Sequence, residues 1–249
     1  MQKQFWVIDM NDSLSVIITG ASRGIGRAIS ESLVHSSEVC QIRKMVLIAR
    51  NQQKLDEVAS CLQEKRPSVD IETESFDLEL VDLIPNLIAK IAVTLTDNVL
   101  LINNAGYTLP ASVLETDNRN LLKTYSVNVF SPIILVRELL RARAGLKTII
   151  NIASTAGMSP RPGWLSYASS KAALINVSLT MYEELLPYGI DVYCLSPGRC
   201  ATDLRATLAP DEDQSKIMQP EEVANVVMNI IAANSYAIAG QNIVVRRKV

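Results

Sequence analysis

The sequence has very few of the residues that build metal sites and hydrolase triads. Only one of its 249 residues is a histidine, His35. Ser-His-Asp and Cys-His hydrolases need a placed histidine, and zinc sites need clusters of histidine and cysteine, so neither kind of site and no bound metal is expected. The cysteines are Cys40, Cys61, Cys194 and Cys200. Their irregular spacing without a C-x-x-C pair favours reduced thiols over a disulfide framework.

An excess of one charge and a long apolar run are also missing. The chain has 24 Lys and Arg residues against 26 Asp and Glu residues, a formal net charge of −2. Without a basic field it is not expected to bind nucleic acid or an anionic membrane. The sequence has no run of about 18 apolar residues that would span a bilayer, and its first residues lack the apolar segment that is typical of a signal peptide. We therefore expect a cytoplasmic protein with small-molecule partners.

Short β-branched runs alternate with longer amphipathic segments along the whole chain. This pattern predicts an α/β fold, a doubly wound and mainly seven-stranded parallel sheet with helices on both faces. Length and composition predict a single domain over residues 1–249, with residues 1–13 as an N-terminal extension that starts naturally at Met1 or Met10.

The predicted strands and helices have the following bounds. The strands are Ser15–Thr19, Met45–Ala49, Asp70–Phe76, Val99–Ile102, Thr148–Ile152, Asp191–Leu195 and Ile243–Val245. The helices are Gly24–Val34, Gln53–Lys65, Asp117–Ala142, Trp164–Pro187 and Pro220–Ala233. A further helix is expected near Leu80–Leu95, with Pro85 in its first turn, where a missing N–H is tolerated.

A glycine-rich loop follows the first predicted strand. It reads Thr19-Gly20-Ala21-Ser22-Arg23-Gly24-Ile25-Gly26 and opens a helix. Glycines at these positions let the backbone turn tightly, approach a diphosphate and pack the helix on the strand. The G-x-x-x-G-x-G spacing resembles that of the short-chain dehydrogenase/reductase family, which implies the Rossmann-like form of the fold and a nicotinamide cofactor.

The second strand ends in Arg50, at the position where NAD enzymes place an acidic residue on the ribose 2′-hydroxyl. A guanidinium there suits a 2′-phosphate, and Arg23 offers a second cation of the kind found in NADP-preferring members of the family. The prediction is NADP(H) in preference to NAD(H). The alternative is that Arg50 is an ordinary solvated loop charge.

Other segments match further motifs of the family. Asp77 follows the third strand, where the family contacts adenine, although a helix N-cap is an equal alternative. The N-N-A-G motif ends in Gly106, and a P-G-x-x-x-T segment ends in Thr202. The resemblance implies cofactor contacts with Gly20, Ser22, Arg23, Gly24, Ile25, Gly26, Arg50, Asp77, Leu78, Asn104, Ala105, Gly106, Tyr167, Lys171, Pro197, Gly198 and Thr202.

Tyr167 and Lys171 lie four residues apart near the start of a predicted helix, so they project from one face. A neighbouring ammonium is expected to lower the pKa of the tyrosine toward the working range. Ser154 comes thirteen residues earlier (167 − 154), the usual separation in the family, and Asn128 sits among apolar residues of a helix. The resemblance implies a catalytic tetrad in which Tyr167 is the general acid, Ser154 polarises the carbonyl, and Asn128 holds a water that links Lys171 to solvent.

This resemblance implies an NADP-dependent oxidoreductase of carbonyl reductase type, which reduces a ketone of a small molecule to an alcohol. Substrate contacts are expected from Arg161, Trp164, Arg199 and Arg205. Three arginines suit a sugar phosphate of the ribulose 5-phosphate type, and Trp164 suits a planar ketone. A 3-oxoacyl thioester reductase is another alternative, and a non-catalytic NADP sensor or scaffold is the alternative from a different class.

The helices that contain Asn128 and Tyr167 correspond to the pair through which members of the family associate. The second of these helices carries several small residues, among them Ala168, Ala172 and Ala173, which permit close helix approach. A homodimer or homotetramer is expected.

Overall fold

The computed structural model describes residues 13–35, 41–233 and 236–247. Both candidate starts, all of the predicted extension except Ser13, and Cys40 lie outside these residues. Seven strands are present: β1 (Leu14–Thr19), β2 (Ile42–Ala49), β3 (Asp70–Ser75), β4 (Asn98–Asn103), β5 (Leu146–Ile152), β6 (Asp191–Pro197) and β7 (Asn242–Val245). They form one parallel sheet in the order β3-β2-β1-β4-β5-β6-β7, which confirms the predicted fold class.

Within the described part of the chain, eight α-helices connect the strands. They are α1 (Gly24–His35), α2 (Gln52–Lys65), α3 (Ile84–Ile91), α4 (Asn118–Tyr125), α5 (Ser131–Arg141), α6 (Leu165–Leu185), α7 (Asp203–Leu208) and α8 (Pro220–Ala233). The helices lie on both faces of the sheet, as the crossover connections between parallel strands require.

The side chains of β1 show why a doubly wound sheet forms. All six residues of this strand are buried, as the central strand of a two-sided sheet requires. Val16 and Ile18 point into a core that also holds apolar residues of α1, α2 and α8. Ile17 points to the opposite face, into a second core with residues of α3, α5 and α6. The alternation of strand side chains thus creates two cores that share one sheet.

The prediction of one continuous helix over Asp117–Ala142 is wrong, because this segment forms two α-helices. A π-helical turn at Ser126–Phe130 separates α4 from α5, and the N–H of Ser131 bonds to the carbonyl of Ser126, five residues back. Pro132 lies in the first turn of α5 and has no N–H to continue the α-helical ladder. The widened turn lies directly before this proline, and π-turns often occur at functional sites.

Three further differences concern charged or short segments. The second strand begins at Ile42, three residues before the prediction, because the buried Lys44 ammonium pairs with Asp70 at 2.9 Å and Glu72 at 2.7 Å. The helix expected near Leu80–Leu95 is shorter in the structure, because 3₁₀ turns flank α3 on both sides. Pro85 lies in the first turn of α3, as expected. The short helix α7 was not predicted.

Within the described ranges, the cysteines, the potential metal ligands and the helices have the following features. Cys61, Cys194 and Cys200 are free thiols, and no group of histidine, cysteine and acidic residues there is arranged to hold a metal ion. None of the helices that the structure describes has the length and apolar character needed to cross a membrane.

Two glycines with positive φ differ in the space around them, so their alanine variants test how closely the backbone packs. A Cβ at Gly145 (φ +68°) would lie 2.4 Å from the carbonyl oxygen of Asp97, whereas a Cβ at Gly163 (φ +78°) would meet open space. Gly163→Ala should therefore cost only the left-handed backbone strain, about 1–2 kcal/mol. Gly145→Ala should cost an additional ~1–3 kcal/mol of overpacking in urea unfolding experiments. Equal losses would contradict the assigned contact.

Candidate active site

A cavity of about 1020 Å³ opens at the carboxyl ends of the central strands. In a parallel sheet these ends meet at one edge, and the strand-to-helix loops there supply most of the lining. The residues predicted to contact a cofactor all line this cavity except Gly26. His35, the sole histidine, lies at the end of α1 and does not line it.

The glycine loop joins β1 to α1 with little room for side chains. Gly20 and Gly24 have φ values of +67° and +55°. A Cβ at Gly26 would lie 2.4 Å from the carbonyl oxygen of Gly20. Gly26 therefore lies behind the cavity wall and permits the start of α1 to pack on the loop, while Gly20 and Gly24 leave backbone at the cavity surface.

Asn104 fixes this loop from the neighbouring strand. Its Nδ2 donates to the carbonyl oxygens of Thr19, at 3.0 Å, and Gly20, at 3.2 Å. In return the Thr19 hydroxyl accepts the backbone N–H groups of Asn104 and Ala105, each at 3.0 Å. Sequence reasoning identified Asn104 as a cofactor contact but did not identify these bonds between the ends of β1 and β4.

The end of the cavity at β2 and β3 is lined by Arg50, Asp77 and Leu78, as predicted. Lys54 also lines this end and was not predicted. The Asp77 carboxylate accepts the backbone N–H of Glu79 at 3.0 Å, in a turn that precedes α3 by several residues. The alternative that Asp77 caps a helix is therefore wrong. Arg50 is exposed, and no ion pair is formed by its guanidinium within the described part of the chain.

Arg23 is exposed on the glycine loop and reaches the opposite wall. Its guanidinium lies 3.3 Å from the carboxylate of Asp203, the first residue of α7. Thr202 caps α7 by accepting the N–H of Arg205 at 3.2 Å. A Cβ on Gly24 would lie 3.2 Å from the Thr202 methyl group, so the start of α7 sits directly against the glycine loop. Pro197 and Gly198, at the end of β6, line the cavity between these two walls.

Three of the four predicted tetrad side chains, Ser154, Tyr167 and Lys171, line the cavity. Ser154 follows β5 and caps a 3₁₀ turn by accepting the N–H of Ala156 at 3.1 Å. The Lys171 ammonium donates to the carbonyl oxygen of Ile152 at 2.8 Å and lies 5.9 Å from the centre of the Tyr167 ring. The turn of α6 thus brings the tyrosine and lysine to the end of β5.

Asn128 lies behind the cavity wall, fully buried in the π-helical turn. Its Oδ1 accepts the backbone N–H of Tyr107 at 2.8 Å, and its Nδ2 donates to the Tyr107 carbonyl at 2.9 Å and to the Ser170 hydroxyl at 2.9 Å. A Cβ on Gly106 would lie 3.7 Å from Asn128 Oδ1 and 3.8 Å from Lys171 Nζ. Asn128 thus positions the loop after β4 beside the lysine.

Burial controls the pKa values of the pair on α6. It raises the pKa of Tyr167, and the hydrogen bond with Ser154 opposes this only in part. Burial also lowers the pKa of Lys171 from 10.5 to about 8. The structure differs from the expectation that Lys171 lowers the pKa of Tyr167: burial dominates, only the Ser154 hydrogen bond opposes it, and the ammonium bonds to the Ile152 carbonyl.

The end of the cavity near Tyr167, called the near end below, is lined by all four predicted substrate residues, Arg161, Trp164, Arg199 and Arg205. The Trp164 and Tyr167 rings meet edge to face, with centroids 5.9 Å apart. Thr108 also lines this end, and its buried hydroxyl has no hydrogen-bond partner among the described residues. Thr108 was not singled out in the sequence analysis.

Two of these arginines are already paired. Glu212 accepts Arg205 Nε at 2.6 Å and Nη2 at 3.0 Å, and it also accepts Arg199 Nη1 at 2.9 Å. These bonds lower the pKa of the Glu212 carboxyl. The expectation that Arg199 and Arg205 are free to grip a phosphate did not include this carboxylate, which lies beyond α7 and carries no motif of its own.

Comparison with known proteins agrees with the geometry. A profile of the family "short chain dehydrogenase" matches residues 15–213. A 3-oxoacyl-(acyl-carrier-protein) reductase of Rickettsia felis is 30% identical over 254 residues, covering 95% of this chain and 96% of the relative. The chain therefore belongs to the short-chain dehydrogenase family, which confirms the predicted class of oxidoreductase.

Solved structures show the same fold. The L-sorbose reductase of Gluconobacter frateurii, complexed with NADPH and L-sorbose, has a TM-score of 0.82 and 25% identity over 96% of this chain and 97% of that chain. A short chain dehydrogenase of Shigella flexneri complexed with NADP has a TM-score of 0.83 and 24% identity, with 94% and 97% covered.

The pKa of Lys171 predicts a pH-dependent stability difference. Below about pH 8 the folded protein holds a buried ammonium, whereas between pH 8 and 10.5 the folded state has lost the proton that the unfolded chain keeps. The wild type therefore gains stability relative to Lys171→Met as the pH rises, by about 2 kcal/mol between pH 8 and 9.5. Urea unfolding at several pH values measures this gain.

Lys65→Met, at an exposed position of α2, controls for the loss of one positive charge. A stability difference between the wild type and Lys171→Met that stays constant from pH 7 to 9.5 would contradict the lowered pKa.

Proposed function

We propose that the protein is an NADPH-dependent reductase that converts a carbonyl group of a small molecule to an alcohol. The observation that carries this proposal is that Ser154, Tyr167 and Lys171 line the same cavity as the glycine loop. A proton donor and a dinucleotide-type loop thus share one space, as transfer between a cofactor and a substrate requires.

The residues present fit a dinucleotide. The glycine loop leaves backbone at the cavity surface, and a Cβ at Gly20 would come within 2.9 Å of the Ala105 backbone. Gly20, Ser22 and Gly24 would hold the diphosphate at the start of α1, where unpaired backbone N–H groups favour an anion. Bound NADPH would supply the hydride that reduces the carbonyl carbon.

Tyr167 would give its proton to the carbonyl oxygen. Its raised pKa keeps the hydroxyl protonated at neutral pH, as an acid in the reductive direction must be. Ser154 would donate a hydrogen bond to the same oxygen as negative charge develops there. The ammonium of Lys171 donates to the Ile152 carbonyl beside Tyr167. Because its pKa of about 8 lies near neutrality, Lys171 would gain and lose protons there.

Coenzyme preference is proposed to depend on Arg50, with Arg23 as a second cation. Both guanidinium groups line the cavity. The L-sorbose reductase structure with NADPH supports this preference. A charge-assisted contact with a 2′-phosphate distinguishes the two coenzymes, because NADH has only a hydroxyl at that position.

A 3-oxoacyl thioester reductase is a second candidate, favoured by the Rickettsia felis relative. The non-catalytic sensor has less support, because Ser154, Tyr167 and Lys171 are all present at the cavity surface. Association into a homodimer or homotetramer stays a prediction, which the mass of the protein in solution would test against 27.3 kDa for one chain.

Removal of the Tyr167 hydroxyl tests the reaction. Tyr167→Phe should lower kcat about 10²–10⁴-fold, because the proton donor is lost, while NADPH still binds. NADPH oxidation is followed with a diketone, an acetoacetyl thioester and ribulose 5-phosphate, and NADPH binding is followed by fluorescence. Tyr188→Phe, at an exposed position outside the cavity, is the matched control. Turnover that persists in Tyr167→Phe would refute the assigned role.

Removal of the Arg50 charge tests coenzyme selection. Arg50→Ala should weaken NADPH binding by about tenfold or more, the effect of one charge-assisted contact, with little effect on NADH. Dissociation constants of both coenzymes are compared for the wild type, Arg50→Ala and Arg43→Ala. Arg43 is an exposed arginine of β2, the strand that Arg50 follows, and it does not line the cavity. Equal losses for NADPH and NADH would exclude a contact with the 2′-phosphate.

A further inference from the structure

The cavity is more positive than the protein that contains it. The chain has a formal net charge of −2, yet among the described residues the carboxylates that line the cavity are only those of Asp77 and Asp203. Three cations, Arg23, Arg50 and Lys54, line the end assigned to the coenzyme. Three more, Arg161, Arg199 and Arg205, line the end near Tyr167. Clefts lined by one sign of charge concentrate ligands of the opposite sign.

The three arginines at the near end are not equivalent. Arg205 makes a two-bond contact with Glu212, and Arg199 bonds to the same carboxylate. Arg161 forms no ion pair with any residue in the described ranges. Because Glu212 already satisfies its two partners in part, Arg161 is the guanidinium most available to an incoming anion.

Arg161 is carried on a rigid turn. The N–H of Trp164 donates to the Arg161 carbonyl at 3.0 Å, with Pro162 and Gly163 between them and a Gly163 φ of +78°. These are the features of a type II turn, in which proline and glycine restrict the backbone. Trp164 also bridges to Ala111 on the loop after β4. The backbone of Arg161 is therefore fixed next to Trp164.

We propose that the substrate is an anionic carbonyl compound and that Arg161 is the specificity-determining residue that pairs with its carboxylate or phosphate. The proposal rests on the proposed function, since it assumes that the carbonyl lies at Tyr167. The edge-to-face contact of Trp164 and Tyr167 connects the arginine turn to the proton donor. The unpartnered hydroxyl of Thr108 adds a hydrogen-bonding group to the same end of the cavity.

The experiment compares matched probes that differ in charge. Levulinate is paired with methyl levulinate, and ribulose 5-phosphate with ribulose, so that the two pairs distinguish a carboxylate from a phosphate. The kcat/KM ratio of charged to neutral probe should exceed one in at least one pair. This ratio should fall about tenfold or more in Arg161→Gln, as expected for loss of a charge-assisted contact.

Two further variants separate charge from structure. Arg161→Lys keeps the charge and should restore most of the ratio, which a packing role for the side chain would not predict. Arg141→Gln removes an exposed arginine of α5 that does not line the cavity, and its ratio should equal that of the wild type. A ratio that is unchanged in Arg161→Gln would overturn the proposal.

Binding to the NADP⁺ complex, measured by calorimetry with the same probes, separates the proposal from the proposed function. If neutral probes are reduced as well as charged ones in every variant, the anion site is wrong and the reductase stands. If no probe is reduced, the reductase fails for these carbonyls. Charged probes that then bind about tenfold more weakly to Arg161→Gln would still support the anion site, and equal binding would overturn it.

Discussion

The site depends on the close packing of the glycine loop against the end of β4. A Cβ on Gly26 would lie 2.4 Å from the Gly20 carbonyl oxygen, so only a glycine lets α1 begin here. The Asn104 amide then donates to the carbonyls of Thr19 and Gly20. Because one side chain joins the ends of two adjacent strands, the glycine loop and the loop after β4 keep a fixed spacing.

The second constraint is the burial of an ammonium. Lys171 is 3% exposed, and the only bond of its Nζ within the described residues is to the Ile152 carbonyl. A buried charge without a full set of partners costs free energy, and the protein meets part of this cost by lowering the pKa to about 8. The same burial raises the pKa of Tyr167. The pair therefore combines a tyrosine that keeps its proton with a lysine that gives its proton up readily.

Patterns of short range predicted most of the fold and the core of the site. Strand runs, the glycine spacing and the separation of Tyr167 from Lys171 are properties of neighbouring residues, so periodicity reveals them. The errors lie where distant contacts decide the outcome. The strand start at Ile42 depends on a lysine neutralised by β3. The bonds of Asn128 to the Tyr107 backbone also depend on a distant contact, and its predicted water contact stays a prediction. The effect of burial on Tyr167 needs the packed structure, because no spacing encodes solvent exclusion.

The ion pairs on α7 and beyond it differ in strength, and this difference determines which arginines are available to ligands. Arg23 and Asp203 meet at 3.3 Å with half or more of each side chain exposed, and such surface pairs contribute only about 0–1 kcal/mol. Arg205 and Glu212 share two bonds at 2.6 and 3.0 Å with much less exposure, and charge-assisted pairs of this geometry are stronger. A ligand phosphate therefore competes easily for Arg23 and poorly for Arg205. Arg161, with neither kind of partner in the described ranges, needs no competition at all.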